Sequence, residues 1–222
     1  MSAAAPVRLA IFDCDGTLVD SQHHICVSME QAFATAGLTP PPRNLIRRHV
    51  GLSLAEVIRH LLPEAEERLH QALVEHYRAA FFKLRSEQTM GTEPLYPGIA
   101  ALLETLIAQG WTLGVATGKS DRGLAHILAH HGIAPLFATL QTADRHPSKP
   151  HPAMIEAACA EAGADPADSV MIGDTSFDMA MAVSAGVGAI GVAWGYHPPE
   201  ELIAAGAARI AEDAAELGEM LA

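Results

Sequence analysis

Two aspartates separated by one residue follow an apolar run near the start of the chain, in LAIFDCDGTLVD at residues 9–20. If the apolar residues form a buried strand, Asp13 and Asp15 both lose solvation and repel each other at its end. A bound cation would offset both costs. The chain turns immediately afterwards through Gly16 and Thr17, so the motif predicts a cation site at the end of a strand.

Three further short motifs follow apolar segments. They are Thr117-Gly118-Lys119, Ser148-Lys149-Pro150 and the run from Gly173 to Asp178. Each has an ordinary alternative when taken alone: Thr117 could cap a helix, Lys149 could be a surface lysine, and Asp174 could be an N-cap residue. All of them, however, occur in order at the ends of apolar strands, which is where parallel sheets bind ligands. Their joint occurrence favours one shared site.

Helical and strand patterns alternate along most of the chain. The patterns predict strands at 7–13, 111–117, 137–141, 169–172, 187–193 and 208–211, and helices at 99–109, 121–131, 152–162, 177–185, after Pro199 and at the C-terminus. Such alternation is typical of βαβ units and of a parallel sheet covered by helices on both faces. We therefore predict an α/β fold with a doubly wound parallel sheet.

A helical block interrupts this pattern after the first strand. Apolar residues at helical spacing begin near Ile25 and stop at Gly37, and two further helices are predicted at 54–62 and 64–84. We expect residues 20–91 to form an inserted helical domain. The predicted core domain then consists of residues 1–19 and 92–222.

Composition limits the partners and the location. The chain has 222 residues, is 50% hydrophobic and carries a formal net charge of −12, which argues against nucleic acid or an anionic membrane as the main partner. No segment approaches the roughly 18 apolar residues of a membrane span, and the N-terminal MSAAAPVR lacks a long apolar stretch. Cys14, Cys26 and Cys159 have no metal-ligand spacing, which suits a reducing compartment. We expect a cytoplasmic protein, either a monomer or a homodimer.

The four motifs together resemble those of the haloacid dehalogenase superfamily of aspartate-nucleophile hydrolases. They match it as FDCDGT, ATG, SKP and GDTSFD. The resemblance spans the whole predicted core, and the helical block resembles the small cap that this superfamily inserts after its first motif. It implies a Rossmann-like doubly wound parallel sheet core with an inserted α-helical cap domain, and a Mg²⁺-dependent phosphatase.

The resemblance also implies catalytic roles. Asp13 would be the nucleophile that forms an aspartyl-phosphate, and the Asp13 carboxylate, the Asp15 main-chain carbonyl and Asp174 would hold the Mg²⁺. The Asp15 side chain would act as the general acid and then as the base. Since dehalogenating relatives lack this second aspartate, phosphoester chemistry is favoured. Asp178 is expected to hold a metal-bound water or to orient Lys149.

Phosphate binding is expected from the remaining motif residues. Thr117 would donate its hydroxyl hydrogen to a phosphate oxygen, and Lys149 would pair with both Asp13 and the phosphate. Gly16 permits the tight turn that brings backbone N–H groups to the phosphate. Lys119 could reach the far end of a substrate, although a plain lysine at a helix start is an equal alternative. The predicted substrate-binding residues of the core are Gly16, Thr17, Gly118 and Lys119.

Substrate choice is expected to depend on the cap. The segment from Arg47 to Gly51 resembles the Arg-x-x-Val-Gly loop of the phosphoglycolate phosphatase branch, in which Arg47 would meet a substrate carboxylate. The alternative is that Arg47 and Arg48 are solvated helix charges. Ser53 stands where many of those relatives have a second glycine, which is a departure from the pattern. This resemblance implies 2-phosphoglycolate as the first candidate substrate.

Other activities stay open at this point. A sugar-phosphate mutase similar to beta-phosphoglucomutase, a pyrophosphatase and a nucleotide phosphatase would share the same core. A phospho-receiver signalling domain, which belongs to a different class, also uses a magnesium-bound aspartate on a doubly wound sheet. That class has no use for the helical insertion or for an acid at Asp15. A small phosphorylated metabolite is therefore the expected partner.

Overall fold

The structure is a computed structural model that describes residues 6–86 and 91–222. Residues 1–5 and 87–90, which include part of the predicted N-terminal segment and the end of the predicted insertion, lie outside the described residues. The strands are β1 (Arg8–Phe12), β2 (Trp111–Thr117), β3 (Thr139–Thr142), β4 (Ser169–Gly173), β5 (Gly188–Val192) and β6 (Arg209–Ala211). They form one parallel sheet in the order β3-β2-β1-β4-β5-β6, so the predicted α/β class with a parallel sheet is confirmed.

Helices occupy the remaining regular segments. They are α1 (Gln22–Thr35), α2 (Arg43–Arg48), α3 (Leu54–Leu61), α4 (Glu67–Ser86), α5 (Ile99–Ala108), α6 (Asp121–His130), α7 (Ala153–Ala162), α8 (Ser176–Ala185), α9 (Pro199–Ala204) and α10 (Ala214–Leu221). The short helix α2 was not predicted as an element. Helix α4 begins at Glu67, three residues later than predicted. Its first turn is closed by the hydrogen bond from the His70 N–H to the Glu66 carbonyl.

The sheet reverses its direction of growth beside β1. The chain adds β2 and β3 on one side of β1, and then adds β4, β5 and β6 on the other. Asp13 continues the line of β1, and its N–H donates to the Ile172 carbonyl of β4 at 2.9 Å. Doubly wound sheets bind ligands at such a reversal, beyond the carboxyl ends of the strands. This topology therefore brings the first and the last motif side by side.

The side chains of β1 alternate between two apolar clusters. Phe12 and Cys14 lie in the cluster that includes side chains of α5, α6 and α10, while Leu9 and Ile11 lie in the one that includes side chains of α7 and α8. Complete burial of a side chain the size of Phe contributes about 1.5–3 kcal/mol to folding. Cys14 is completely buried in the same cluster as Phe12, as the alternation of side chains along an extended segment requires.

The helices between β1 and α5 share an apolar cluster of their own. It contains Met29, Phe33, Ile58 and Leu73, and the partly buried Tyr196 of the core packs against it. Helices α1 and α4 lie side by side in this cluster. The exact division into residues 20–91 and the rest stays a prediction. Among the described residues, no helix combines the length and the apolar character needed to cross a membrane.

Candidate active site

Asp13 lies at the carboxyl end of β1, with a side chain that is 1% exposed. Its Oδ1 accepts hydrogen bonds from the Cys14 N–H at 2.7 Å and from the Lys149 ammonium at 2.8 Å. Its Oδ2 is buried and has no hydrogen-bond partner among the described residues. An unpaired, buried carboxylate oxygen is costly unless a ligand or ion satisfies it. Oδ2 of Asp13 is therefore the oxygen of this carboxylate that is available to a ligand or an ion.

Asp178 holds Lys149 in place from the first turn of α8. The Lys149 ammonium lies 2.6 Å from Asp178 Oδ1, and the main-chain and hydroxyl groups of Thr175 donate to Oδ2 at 3.0 and 2.7 Å. The bond from the Thr175 N–H is one half of the capping box that starts α8, and the Asp178 N–H completes it by donating to the Thr175 hydroxyl oxygen. Burial acts to lower the pKa of Lys149, but Asp13 and Asp178 together raise it above its usual value. Lys149 is thus a fixed cation beside Asp13, and the alternative of a surface lysine is wrong.

Asp174 is held at the end of β4 by donors from both sides. The Thr17 hydroxyl donates to Oδ1 at 2.8 Å and the Tyr196 N–H donates to Oδ2 at 3.0 Å. Gly16 has a φ of +89°, and a Cβ at this position would overlap the Asp174 carboxylate. The Gly16 N–H is itself paired with the Val19 carbonyl at 2.9 Å. In this structure Gly16 leaves room for the Asp174 carboxylate and Thr17 is hydrogen-bonded to it. The predicted contacts of Gly16 and Thr17 with a substrate stay predictions.

The carboxylates of Asp13, Asp174 and Asp178 lie close enough to share a cation. They offer oxygens within 4.8 Å of one another, and no histidine belongs to this cluster in the described part of the chain. Burial raises the pKa of Asp13 to about 7, although Lys149 lowers it, and burial also raises the pKa of Asp174 well above its usual value. A bound cation would relieve this cost. Asp178 already has the Lys149 ammonium as its counter-charge, whereas Asp174 accepts only from neutral donors and Asp13 has a buried oxygen without a partner among the described residues. The side chains that fit a cation are therefore Asp13 and Asp174.

Asp15 lies on the side of the site that faces the helical insertion. Its Oδ1 accepts from the Ser21 hydroxyl and lies 2.7 Å from the Lys119 ammonium. The same ammonium lies 3.4 Å from Glu93, whose side chain is only 3% exposed. Burial acts to lower the pKa of Lys119, but Asp15 and Glu93 raise it well above its usual value. Lys119 therefore belongs to the site rather than to the surface.

Thr117 is buried at the end of β2. Its hydroxyl oxygen accepts the Lys119 N–H at 3.2 Å, which leaves the hydroxyl hydrogen available to a ligand. The alternative of a helix cap is wrong, because α6 is capped by Ser120, whose hydroxyl accepts the Gly123 N–H at 3.1 Å. The predicted phosphate contact of Thr117 is compatible with this geometry.

Two features of the site were not identified from the sequence. Glu93 lies in the segment that leads back from the insertion, where no local pattern marks a buried acid. The loop that carries Trp194 and Tyr196 follows β5, and its sequence has no pattern that indicates its partners. In the structure the Trp194 indole N–H donates to the Thr17 carbonyl at 3.1 Å, and Tyr196 contacts Asp174. This loop therefore supports the turn that follows β1.

Arg47 lies in the last turn of α2. It is exposed, and its guanidinium donates to the Gln22 side chain of α1 at 3.1 Å. Both residues belong to the predicted cap. The proposed contact of Arg47 with a substrate carboxylate stays a prediction.

Comparison with known proteins decides the family of the chain. Residues 10–192 match the family described as Haloacid dehalogenase-like hydrolase. The chain belongs to this family. It is 38% identical over 203 residues to "Probable phosphatase IndB" of Dickeya dadantii (strain 3937), covering 89% of this chain and 86% of that protein. It is 31% identical over 195 residues to "Phosphoglycolate phosphatase" of Haemophilus influenzae (strain 86-028NP), covering 86% of this chain and 87% of that one.

A solved structure shares the fold over almost the full length. It is a crystal structure from Haemophilus somnus 129PT described as a predicted phosphoglycolate phosphatase, with a TM-score of 0.85 and 26% identity. The match covers 97% of this chain and 98% of that one. The predicted doubly wound core and the predicted enzyme class, a phosphatase similar to phosphoglycolate phosphatases, are thus confirmed at the level of the family and of the names that these relatives carry.

Proposed function

We propose that the protein is a magnesium-dependent phosphomonoester hydrolase that passes the phosphoryl group through an aspartyl-phosphate on Asp13. The observation that carries this proposal is the buried, unpartnered Oδ2 of Asp13, flanked by Lys149 and Asp174. An oxygen that no group of the described residues satisfies, next to a fixed cation, is suited to attack an electrophilic phosphorus.

The proposed cofactor is Mg²⁺, held by the carboxylates of Asp13 and Asp174 and by the main-chain carbonyl of Asp15. When bound, it would cancel the repulsion between the attacking carboxylate and the phosphate dianion. Lys149 supplies a second positive charge at the same place and lowers the pKa of Asp13, which favours the anionic form that a nucleophile requires. The Thr117 hydroxyl is placed to donate to a phosphate oxygen.

Proton transfer is assigned to Asp15. Its carboxyl group gives a proton to the oxygen that leaves with the alcohol, and regains one from the water that attacks the aspartyl-phosphate, so protons balance over the cycle. Ser21 and Lys119 hold this carboxyl group in place by direct contacts. Because the Asp15 side faces the insertion, the leaving group is expected to lie between the core and the cap.

The proposed substrate is a small phosphorylated metabolite, with 2-phosphoglycolate as the first one to test. Relatives named phosphoglycolate phosphatase support this choice, and so does the position of the Lys119 ammonium beside Asp15, the proposed proton donor. The net charge of −12 makes nucleic acid an unfavourable partner. A cytoplasmic location and a monomeric or homodimeric state complete the proposal.

A panel of phosphorylated metabolites assayed for released phosphate, with and without Mg²⁺, tests the activity. We expect magnesium-dependent turnover by the wild type and none by Asp13→Asn. Turnover by Asp13→Asn at the wild-type rate would remove Asp13 as the nucleophile. Phosphate passed to an added sugar phosphate, without release into water, would instead indicate a mutase.

Arg47→Ala tests the carboxylate contact. We expect a higher KM for 2-phosphoglycolate and an unchanged KM for p-nitrophenyl phosphate, which lacks the carboxylate. Arg43→Ala is the matched control, because Arg43 is another exposed cap arginine and is paired with Glu30 at 2.6 Å. Equal losses on both substrates would reject the contact of Arg47 with the carboxylate.

A further inference from the structure

A short loop of the insertion lies directly on the strand-end motifs. We call residues 49–53, which connect α2 and α3, the cap loop. The Ser53 N–H donates to the Ser148 hydroxyl at 2.8 Å, in the loop that carries Lys149. Gly118 has no room for a Cβ, since the Leu52 carbonyl of the cap loop would overlap it. The cap loop thus covers the site by close backbone contacts with two of the four motifs.

His197 connects the start of this loop to the core. Its Nδ1 accepts the Ser176 N–H at 3.1 Å, so the ring hydrogen is on Nε2, which donates to the Arg48 carbonyl at 3.0 Å. The main-chain N–H of His197 donates to the Asp174 carbonyl at 3.2 Å. One residue therefore contacts the main chain of a proposed metal ligand and the residue that precedes the cap loop.

The neighbouring ion pair cannot replace this connection. Arg48 and Glu201 lie 2.7 Å apart, but their side chains are 49% and 32% exposed, so solvent screens the pair. The His197 ring lies 3.9 Å from Glu201, but its Nδ1 is already occupied by the Ser176 N–H. The ring itself is 1% exposed and packs edge-on against Phe177. The buried hydrogen bonds of the imidazole are thus the contacts that water does not weaken.

We propose that His197 is a positioning residue that holds the cap loop against the Asp174 loop, and so fixes the surface that meets the leaving group of the substrate. This inference rests on the proposed phosphatase function for its kinetic consequences. Its structural consequence, a cap loop held in place by the imidazole, does not depend on that function. The two can therefore be tested separately.

Two variants of similar chemistry separate the two hydrogen bonds of the ring. In His197→Gln the side-chain amide can reach the position of Nε2 and donate to the Arg48 carbonyl. In His197→Asn the shorter side chain can accept the Ser176 N–H but cannot reach Arg48. Both keep a polar side chain at the buried position, and His197→Ala removes both contacts. His60→Ala is the control, because His60 is hydrogen-bonded to the Glu56 carbonyl at 2.8 Å and packs against His49 of the cap loop, so this variant removes a histidine contact of the loop that does not reach the core.

Hydrogen exchange at the Ser53 amide is the main measurement, because the partner of that amide lies in the core. We expect exchange about tenfold faster in His197→Asn and His197→Ala, with exchange in His197→Gln and His60→Ala close to the wild type. Exchange that is unchanged in His197→Ala, or equally fast in His197→Gln and His197→Asn, would overturn the proposal. The amides of β1 serve as an internal reference for global unfolding.

Kinetics provide the second measurement. We expect KM for 2-phosphoglycolate to rise about threefold to tenfold in His197→Asn, with kcat changed less than threefold, and both constants near wild type in His197→Gln. A loss confined to kcat would contradict a positioning role. If no variant or wild type hydrolyses any phosphoester, the proposed function fails, while the exchange result still decides the role of His197.

Discussion

Asp13 and Asp15 are two residues apart in the chain, and each is paired with its own lysine. The Lys149 ammonium lies 2.8 Å from Asp13, and the Lys119 ammonium lies 2.7 Å from Asp15. The two halves of the site therefore use the same charge pattern around two identical side chains. What differs is the part of the molecule that surrounds each pair.

The second carboxylate on each lysine shows this difference. Asp178 contacts Lys149 at 2.6 Å and is built into the capping box of α8, so the core alone supplies the Asp13 half. Glu93 contacts Lys119 at 3.4 Å from the segment that joins the insertion to the core, and the Lys119 ammonium lies 5.7 Å from the ring of Phe81 in α4. The contacts of the proposed nucleophile thus come from the core, whereas those around the proposed proton donor also include a side chain of the insertion. We expect the Asp13 half to control phosphoryl transfer itself, and the Asp15 half to respond to the leaving group.

Replacing each aspartate in turn is expected to have the largest effect on activity. Asp13→Asn is expected to lower kcat by at least about 10³-fold on every substrate, because no nucleophile remains. Asp15→Asn is expected to cost about 10²- to 10⁴-fold on alkyl phosphates, which need a proton on the leaving oxygen. With p-nitrophenyl phosphate, whose leaving group needs no proton, Asp15→Asn should still form the aspartyl-phosphate and hydrolyse it slowly.

Intact-protein mass spectrometry of the p-nitrophenyl phosphate reaction checks this prediction. A phosphorylated species should accumulate in Asp15→Asn and be absent in Asp13→Asn. Accumulation in both variants would place the phosphoryl group on a residue other than Asp13.

Replacing the two lysines is expected to reduce activity less, and it separates the roles of the Asp13 half and the Asp15 half. Lys149→Met removes the charge that faces both the nucleophile and the phosphate, and should lower kcat about 10²- to 10³-fold on all substrates. Lys119→Met should lower kcat/KM for 2-phosphoglycolate more than for p-nitrophenyl phosphate. Steady-state kinetics on both substrates measures this, with circular dichroism as the check that each variant folds. An equal loss on the two substrates in Lys119→Met would remove the link between Lys119 and the leaving group.

The pH dependence of stability gives the smallest expected effect. Without a bound cation, burial raises the pKa of Asp13 from 3.8 to about 7, so the folded protein binds a proton that the unfolded chain has released. This extra proton stabilises the folded state, and its contribution to the free energy of unfolding is complete below pH 3.8. The contribution is lost as the pH rises through 7, where the folded protein also releases the proton. The Tm of the metal-free wild type, relative to Asp13→Asn, should fall by on the order of 5 °C over this range.

Differential scanning calorimetry of both proteins with and without Mg²⁺ measures this difference. Saturating Mg²⁺ should reduce the fall, because the cation favours the ionised carboxylate. A Tm difference that stays constant with pH in the metal-free proteins would show that Asp13 is not buried as an acid.

The sheet and the placement of the motifs could be predicted from the sequence because they depend on local patterns. The apolar runs before Asp13, Thr117 and Asp174 predicted strands, and all three residues lie where those strands end. The parallel arrangement followed from the alternation with helices and puts the strand ends at one edge of the sheet. The strand order, in which β4 lies next to β1, then brings Asp13 beside Asp174. Some element ends match the prediction, as at both ends of β2, and others differ by up to three residues. At β3, a short 3-10 helix at Ala134–Leu136 precedes the strand, which begins at Thr139.

Contacts that depend on the insertion could not be predicted in this way. Glu93 lies in a segment with no periodic pattern, and its burial results from the packing of the insertion and the core around it. The positions of Lys119 and His197 are decided by partners distant in the chain, Glu93 and Arg48 respectively. The sequence could indicate that Lys119 follows a motif, but not that its ammonium contacts Asp15.

A crystal structure of the protein with Mg²⁺ and an unreactive phosphate mimic would test directly whether Asp13 is a nucleophile supported by a metal ion. We predict one ion bound to the carboxylates of both Asp13 and Asp174 at about 2.0–2.1 Å, with the phosphorus of the mimic in line with Asp13 Oδ2. An ion bound elsewhere, or a mimic whose phosphorus faces another side chain, would contradict the assignment of Asp13 as the metal-supported nucleophile.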